Sequence, residues 1–221
     1  MDMDTKKYWT SIPVSEIPSS LVIDPHIYAN VEKGSKIIDL GCGSSFTLPH
    51  LERQGYKNLF GIDINKNVID YFRDTFKESG TEVFNYDVTE NGLESNAFDY
   101  AIMEALLTVL VDNISIHKAL CETYRILKKG AILQIDDFFQ NWHNKLYRDR
   151  YTKGETELEI EGAFVVYNND NNIRYFARHF SIKELPLLLE KVGFCDIRVI
   201  PKDVMTQSGN GIIGFSLFAR K

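Results

Sequence analysis

The sequence predicts an α/β fold: a seven-stranded, mostly parallel sheet with an antiparallel last strand, helices on both faces, and a β-hairpin insertion after strand five. Three observations carry this. Short apolar runs alternate with amphipathic stretches from Lys36 to Ile135, the pattern of helical crossovers on a parallel sheet. The last two strand-like runs, residues 196–200 and 212–219, are joined by a connection too short for a crossover helix, so they should pair antiparallel. Residues 156–167 and 173–180 flank the turn-forming run Asn168-Asn169-Asp170-Asn171-Asn172, which reads as a hairpin.

Each element has a local reason. Lys36-Ile37-Ile38-Asp39-Leu40 is a short apolar run closed by glycines, a buried strand. Residues 48–54 follow as a helix, with Ser44, Ser45 or Thr47 as cap, Pro49 in the first turn and Gly55 as stop. Residues 58–62 form the second strand. A helix over 66–77 opens behind Asn65, with Gly80 past its end. Residues 82–86 and 98–103 are the third and fourth strands. Over 114–127, Ile116, Leu120, Tyr124 and Leu127 line one helical face. Residues 131–135 are the fifth strand. The stretch 137–180 breaks this rhythm with Phe138, Phe139, Trp142, His143, Tyr147 and Tyr151, and is expected to form a helix plus the hairpin. Glu155, Glu157, Glu159 and Glu161 alternate at strand period, so they should share one solvated strand face, with Leu158 and Ile160 inward. Ser181-Ile182-Lys183-Glu184 reads as a capping box for a helix that stops at Gly193.

The 221 residues suit one domain spanning 1–221, with residues 1–33 as an N-terminal lid and the 137–180 insertion shaping a binding site. Hydrophobic residues at 44% and charged residues at 25% exclude wholesale disorder. A net charge of −6 argues against a nucleic-acid partner. Cys42, Cys121 and Cys195 are too few and too scattered for a disulfide framework or a metal site, so no metal is expected. The start of the chain leads into no apolar h-region, and no apolar run approaches the ~20 residues that span a bilayer. A cytoplasmic protein with no membrane partner is expected.

Ligands of parallel sheets bind at the carboxyl ends of strands. That rule singles out Asp39 with Gly41-Cys42-Gly43 behind it, Asp63, Asp87, Glu104, and Asp136-Asp137. Glycines at a strand-to-helix turn let backbone approach a ligand, though alone they read equally well as a tight turn. Asp63 can accept both hydrogen bonds of a ribose diol or cap a helix; with the glycine turn beside it, the ribose reading is favoured. Asp87 can accept from an adenine amino group or cap a turn. Phe46 stands where a dinucleotide fingerprint has its third glycine, which argues against a nicotinamide cofactor.

These segments together resemble the class I S-adenosylmethionine-dependent methyltransferases, a Rossmann-like family. The residues concerned are Ile37-Ile38-Asp39-Leu40-Gly41-Cys42-Gly43, Gly61-Ile62-Asp63, Tyr86-Asp87-Val88, Phe98-Asp99-Tyr100-Ala101-Ile102-Met103, and Arg125-Ile126-Leu127-Lys128-Lys129-Gly130-Ala131-Ile132-Leu133. Phe180 to Phe194 is similar to the family's penultimate helix and strand. The resemblance implies S-adenosyl-L-methionine as cofactor. Asp39 and the backbone of Gly41, Cys42 and Gly43 would then hold its methionine part. Asp63 would bind the ribose with Ile64 against adenine, and Asp87 would read the adenine amino group with Val88 beside the ring. Glu104 and Ala105 would line the methionine end near the reactive methyl. Ser45 replaces a usual glycine. Leu106-Leu107-Thr108-Val109 stands where the family often has histidines, so no catalytic base is assigned there.

The expected function is methyl transfer to nitrogen or oxygen of a small-molecule acceptor. The alternatives are a protein or RNA acceptor, or a non-catalytic cofactor-binding scaffold. Tyr8 and Trp9 could close over the cofactor or simply pack on the body. Of Asp136 and Asp137, one should face the site and the other cap the next helix; Asp137 is a substrate-binding candidate. Arg178 and His179, on the returning hairpin strand, could bind an acidic acceptor or pair across the strand with the 155–161 acids. His143 and His179 are the weak candidates for a base. The exposed hairpin offers a face for a homodimer.

Overall fold

The computed structural model describes residues 5–17, 31–44, 47–167, 173–206 and 209–221. Ser45, Phe46, the 168–172 turn, most of the 1–33 segment before Val31 other than 5–17, and residues 207–208 lie outside them. The five predicted parallel strands form as β1 (Lys36–Leu40), β2 (Asn58–Asp63), β3 (Glu82–Asn85), β4 (Phe98–Glu104) and β5 (Leu127–Phe138). The hairpin is β6 (Ala163–Tyr167) and β7 (Ile173–Arg178), and the last pair is β8 (Cys195–Met205) and β9 (Gly211–Arg220). The helices are α1 (Thr5–Ser11), α2 (Thr47–Arg53), α3 (Lys66–Thr75), α4 (Leu107–Leu110), α5 (Asn113–Ile126), α6 (Lys145–Leu158) and α7 (Glu184–Val192).

The sheet order is β3-β2-β1-β4-β5-β9-β8. β1 to β5 pair parallel, and β9 runs antiparallel to both β5 and β8. The chain works outward from β1 through β2 to β3, then returns to place β4 on β1's other side. That reversal opens the crevice between the carboxyl ends of β1 and β4. Strand alternation sorts the core into two layers. Ile38, Leu40, Ala101, Met103, Leu133 and Ile135 face α5 and α7. Ile37, Tyr100 and Ile102 face α2 and α3, which contribute Leu48, Leu51, Ile69 and Phe72.

Local signals explain the helix ends. The Asn65 side chain accepts from the Asn67 N–H and caps α3. Gly193 ends α7 at φ 115, a left-handed geometry that suits glycine. Gly61 serves packing instead: a Cβ there would lie 2.8 Å from Leu48 Cδ1 and 3.0 Å from Cys42 Sγ, so the bare backbone lets α2 settle on the sheet.

Three expectations are corrected. Residues 156–158 are the last turn of α6, not a strand, and β6 begins only at Ala163. The 155–161 acids therefore share no strand face: the Glu155 carboxylate accepts from the Gly162 N–H, and Glu159 ends α6 in a left-handed conformation. Leu158 and Ile160 do pack inward, against the hairpin. Only half of the capping box forms: the Glu184 carboxylate accepts from the Ser181 backbone N–H while also pairing with Arg178, but no side chain caps the start of α7. Neither Asp136 nor Asp137 caps α6; Asn144 does, accepting from the Leu146 and Tyr147 N–H groups.

Among the described residues, no helix is long and apolar enough to cross a membrane.

Candidate active site

The glycine turn after β1 is built from backbone. The Gly41 and Cys42 N–H groups both donate to the Ile62 carbonyl, at 2.8 and 2.9 Å. Gly41 sits at φ 75, and a Cβ on it would come 2.8 Å from Leu106 Cδ1, so strain and space both require glycine. The Gly43 N–H donates to Asp63 Oδ2 at 2.9 Å, and Asp63 Oδ1 accepts from the Asn65 N–H at 2.8 Å. Asp63 thus ties the turn to the start of α3. Burial raises its pKa, opposed by those two N–H groups. The Cys42 side chain is buried against β2, and burial raises its thiol pKa well above the ordinary value.

Alternation also places Asp39, Glu104 and Asp136 on the α2/α3 face at the carboxyl ends of three neighbouring strands. Glu104 pairs in register with Asp136, and its carboxyl accepts from Thr47 Oγ1 at 3.3 Å. Burial, then the Asp39 and Asp136 charges, push Glu104 up to about 8. Asp136 is held by Lys202, by Ser216 and by Gln134, and Gln134 accepts from the Tyr100 hydroxyl at 2.6 Å. Beyond Glu104 the chain turns at Ala105, whose φ of 49 is unusual for a residue with a side chain.

At the β3 end, Asp87 does cap a turn: its Oδ1 accepts from the N–H and hydroxyl of Thr89, both at 2.8 Å. Its Oδ2 pairs with Lys6 at 2.5 Å. Burial acts to raise the pKa of Asp87, but the Lys6 ammonium and the Thr89 donors outweigh it and hold it low. Ile64 is half-buried and Val88 buried beside these acids.

The Lys6 contact begins a roof. The Ile12 carbonyl accepts from Asn65 Nδ2 at 3.0 Å, and Ile17 Cγ2 lies 3.4 Å from where a Gly43 Cβ would stand. On the other side α1 meets the hairpin. Arg174 Nε donates to the Tyr8 hydroxyl and Arg174 Nη2 to Glu16, both at 2.6 Å. Tyr8 and Trp9 pack on Tyr175 with ring centroids 5.2 and 5.0 Å away.

The remaining candidates lie elsewhere. Asp137 is buried and accepts from the Thr108 N–H at 3.0 Å, holding the α4 turn; burial pushes it up to about 7. Arg178 is buried too. It donates to the Glu161 and Val111 carbonyls, to Asn113 and to Glu184, tying β7 to α5 and α7. Its ion pair is with Glu184, not with the 155–161 acids. His179 is enclosed by Phe138, Tyr147 and Phe164, with Nδ1 2.6 Å from the Tyr151 hydroxyl. Burial, then Arg150, lowers its pKa to about 3, so the ring is neutral. His143 is exposed in the turn before α6. The structure therefore gathers Asp39, Gly41, Cys42, Gly43, Asp63, Ile64, Asp87, Val88, Glu104 and Ala105 along one crevice, with Tyr8 and Trp9 in the roof. It does not gather Asp137, Arg178, His143 or His179 with them. Lys6 and Arg174 also shape the crevice, and the sequence does not single them out, because no local pattern ties them to their partners.

Known proteins share this architecture. A family model described as a methyltransferase domain matches residues 38–135. A solved SAM-dependent methyltransferase from Methanosarcina mazei is 32% identical, with a TM-score of 0.86 over 91% of this chain and 99% of that one. The demethylmenaquinone methyltransferase of Bacillus pumilus is 25% identical, covering 78% of this chain and 76% of its own length. The mouse arsenite methyltransferase is 24% identical over 81% of this chain, which spans just under half (46%) of that protein.

Proposed function

The chain belongs to the class I S-adenosylmethionine-dependent methyltransferases, and from that premise we propose that it methylates a nitrogen or oxygen of a small organic molecule held beneath α1 and the β6–β7 hairpin. The observation that carries this reading is the clasp of α1. Lys6 reaches Asp87 at one end, and Tyr8 and Glu16 meet Arg174 at the other, so the strand ends are roofed from side to side. A roofed site suits an acceptor of limited size. Among the relatives, the names for demethylmenaquinone and for arsenite agree with an acceptor of limited size, whereas that of a zebrafish eEF1A lysine and N-terminal methyltransferase is for a protein.

The residues present fit the cofactor. The Gly41 turn gives bare backbone, Asp63 offers carboxylate oxygens to a ribose diol, and Asp87 offers one to an adenine amino group, sharing it with or taking it from Lys6. Asp39, buried, and Glu104, half-buried, place two acids where a cationic ligand would relieve their repulsion. When bound, S-adenosylmethionine supplies a methyl group on a positively charged sulfur that leaves as a neutral thioether. The chain's own part is to align the acceptor and exclude water. An amine or hydroxyl acceptor must also lose a proton. Neither His143, exposed, nor His179, neutral and bonded to Tyr151, is assigned that step.

Glu104 should make cofactor binding pH-dependent. In the free protein it holds a proton up to about pH 8. A cation beside it favours the carboxylate, so the bound state takes up fewer protons and affinity rises as pH climbs toward 8. Folding carries the opposite sign. A folded pKa raised above the unfolded value contributes stability below the ordinary glutamate pKa, and that contribution is lost as pH rises to about 8. Calorimetry at pH 7 in buffers of different ionisation enthalpy should show proton release that Glu104→Gln abolishes. Equal proton release in both proteins removes Glu104 from the cofactor's surroundings.

The function itself is tested with S-adenosylmethionine and a panel of phenols, hydroxyquinolines and primary amines, read by mass spectrometry. A product 14 Da heavier is expected with at least one. Methylation of a protein or RNA, with none of the small molecules, overturns the small-molecule reading.

A further inference from the structure

Among the described residues of the roof, one polar group is left unanswered by the fold. Trp9 Nε1 is fully buried and has no hydrogen-bond partner. Buried N–H donors are paired in the great majority of cases, and one that is not calls for an explanation such as a ligand. The indole is also held in place. It meets Tyr8 edge-on at 5.2 Å and Tyr175 at 5.0 Å. The polar tips around it are engaged elsewhere: the Tyr8 hydroxyl by Arg174 Nε, and Arg174 Nη2 by Glu16. Its position is informative as well. α1 packs on β7 and on α4, and α4 is the turn that leaves the carboxyl end of β4 after Glu104 and Ala105. The helix that carries the orphaned donor therefore packs beside the turn that leaves the strand end where the proposed methyl transfer occurs.

We propose that Trp9 Nε1 orients the methyl acceptor by donating a hydrogen bond to it, so that the acceptor presents an oxygen or a ring nitrogen with a free lone pair beside an aromatic or apolar body. This rests on the small-molecule reading and narrows it. A fully protonated alkylammonium has no lone pair to offer the indole. Phenols, enols, carbonyl-bearing rings and hydroxylated N-heterocycles all do. The Tyr8 and Tyr175 rings that fix the indole give such a molecule apolar surface to lie against.

Trp9→Phe tests this, since it keeps an aromatic ring and removes the donor. With the phenols and hydroxyquinolines that the wild type methylates, KM for the acceptor should rise about 3- to 10-fold, the worth of one neutral hydrogen bond. The kcat should change less than twofold, and affinity for S-adenosylhomocysteine by calorimetry should not change. Without any ligand the variant should still unfold cooperatively, any fall in Tm reflecting the smaller ring against Tyr8 and Tyr175. An unchanged acceptor KM overturns the inference and leaves the small-molecule reading standing. If the wild type methylates no small molecule at all, both fall together.

Discussion

Gly154→Ala is expected to lower the thermal unfolding temperature by about 4–8 °C. Gly154 lies inside α6 where that helix crosses β6, and an added Cβ would stand 2.1 Å from the Ala163 carbonyl oxygen and 2.6 Å from Phe164 Cα. The atoms in the way are backbone, which cannot swing aside like a side chain. Overpacking of this kind costs about 3 kcal/mol, offset by about 1 kcal/mol from alanine's better helix propensity. The net of about 2 kcal/mol corresponds to that shift for a chain of this size. Gly34→Ala is the control, because nothing lies within 4 Å of its Cβ position. Differential scanning calorimetry of both variants decides. An unchanged Tm for Gly154→Ala means that α6 does not approach β6 this closely. The consequence reaches the site: α6 carries the hairpin, and β7 carries the Arg174 and Tyr175 that receive α1.

Asp63→Ala is expected to weaken S-adenosylhomocysteine binding by about 1–3 kcal/mol, roughly 5- to 150-fold in Kd. Two effects act together. The variant loses the carboxylate offered to the ribose diol. It also strands the Gly43 and Asn65 N–H groups that the carboxylate now accepts, loosening the glycine turn and the cap of α3. Isothermal calorimetry measures the first effect and thermal unfolding the second. If affinity is unchanged while stability falls, Asp63 is a structural clamp and the ribose is held by another residue.

Much of the scaffold is legible in the sequence because its causes are local. β1 matches its predicted span because Ile37, Ile38 and Leu40 are apolar on both faces and glycines end the run. Asn65 reads as a helix cap because its side chain needs only to reach two residues ahead. The acids at the strand ends stand out because a parallel sheet makes those positions the exits of its crevice.

The errors have an equally physical origin. Residues 155–161 alternate acid and other residues at strand period. Yet Tyr147 and Tyr151, four apart, bury one face of a helix running through Leu158, and that tertiary contact outweighs the local alternation. Ser181 and Glu184 have capping-box spacing, and the glutamate does reach the Ser181 N–H, but the buried Arg178 guanidinium shares its carboxylate and no side chain caps α7 in return.

The sequence by itself determined the order of strands and helices, the glycine turn and the row of acids that follow it, since each depends on residues a few positions apart. Only the tertiary structure decided what surrounds those acids. Lys6 meets Asp87, Thr47 meets Glu104, Lys202 meets Asp136, and Arg174 meets Tyr8. Each pair joins residues distant in the chain, and nothing in the neighbourhood of either partner specifies the other. Their protonation, the roof over the crevice and the unanswered indole of Trp9 follow from burial and charge, which exist only once the chain has folded.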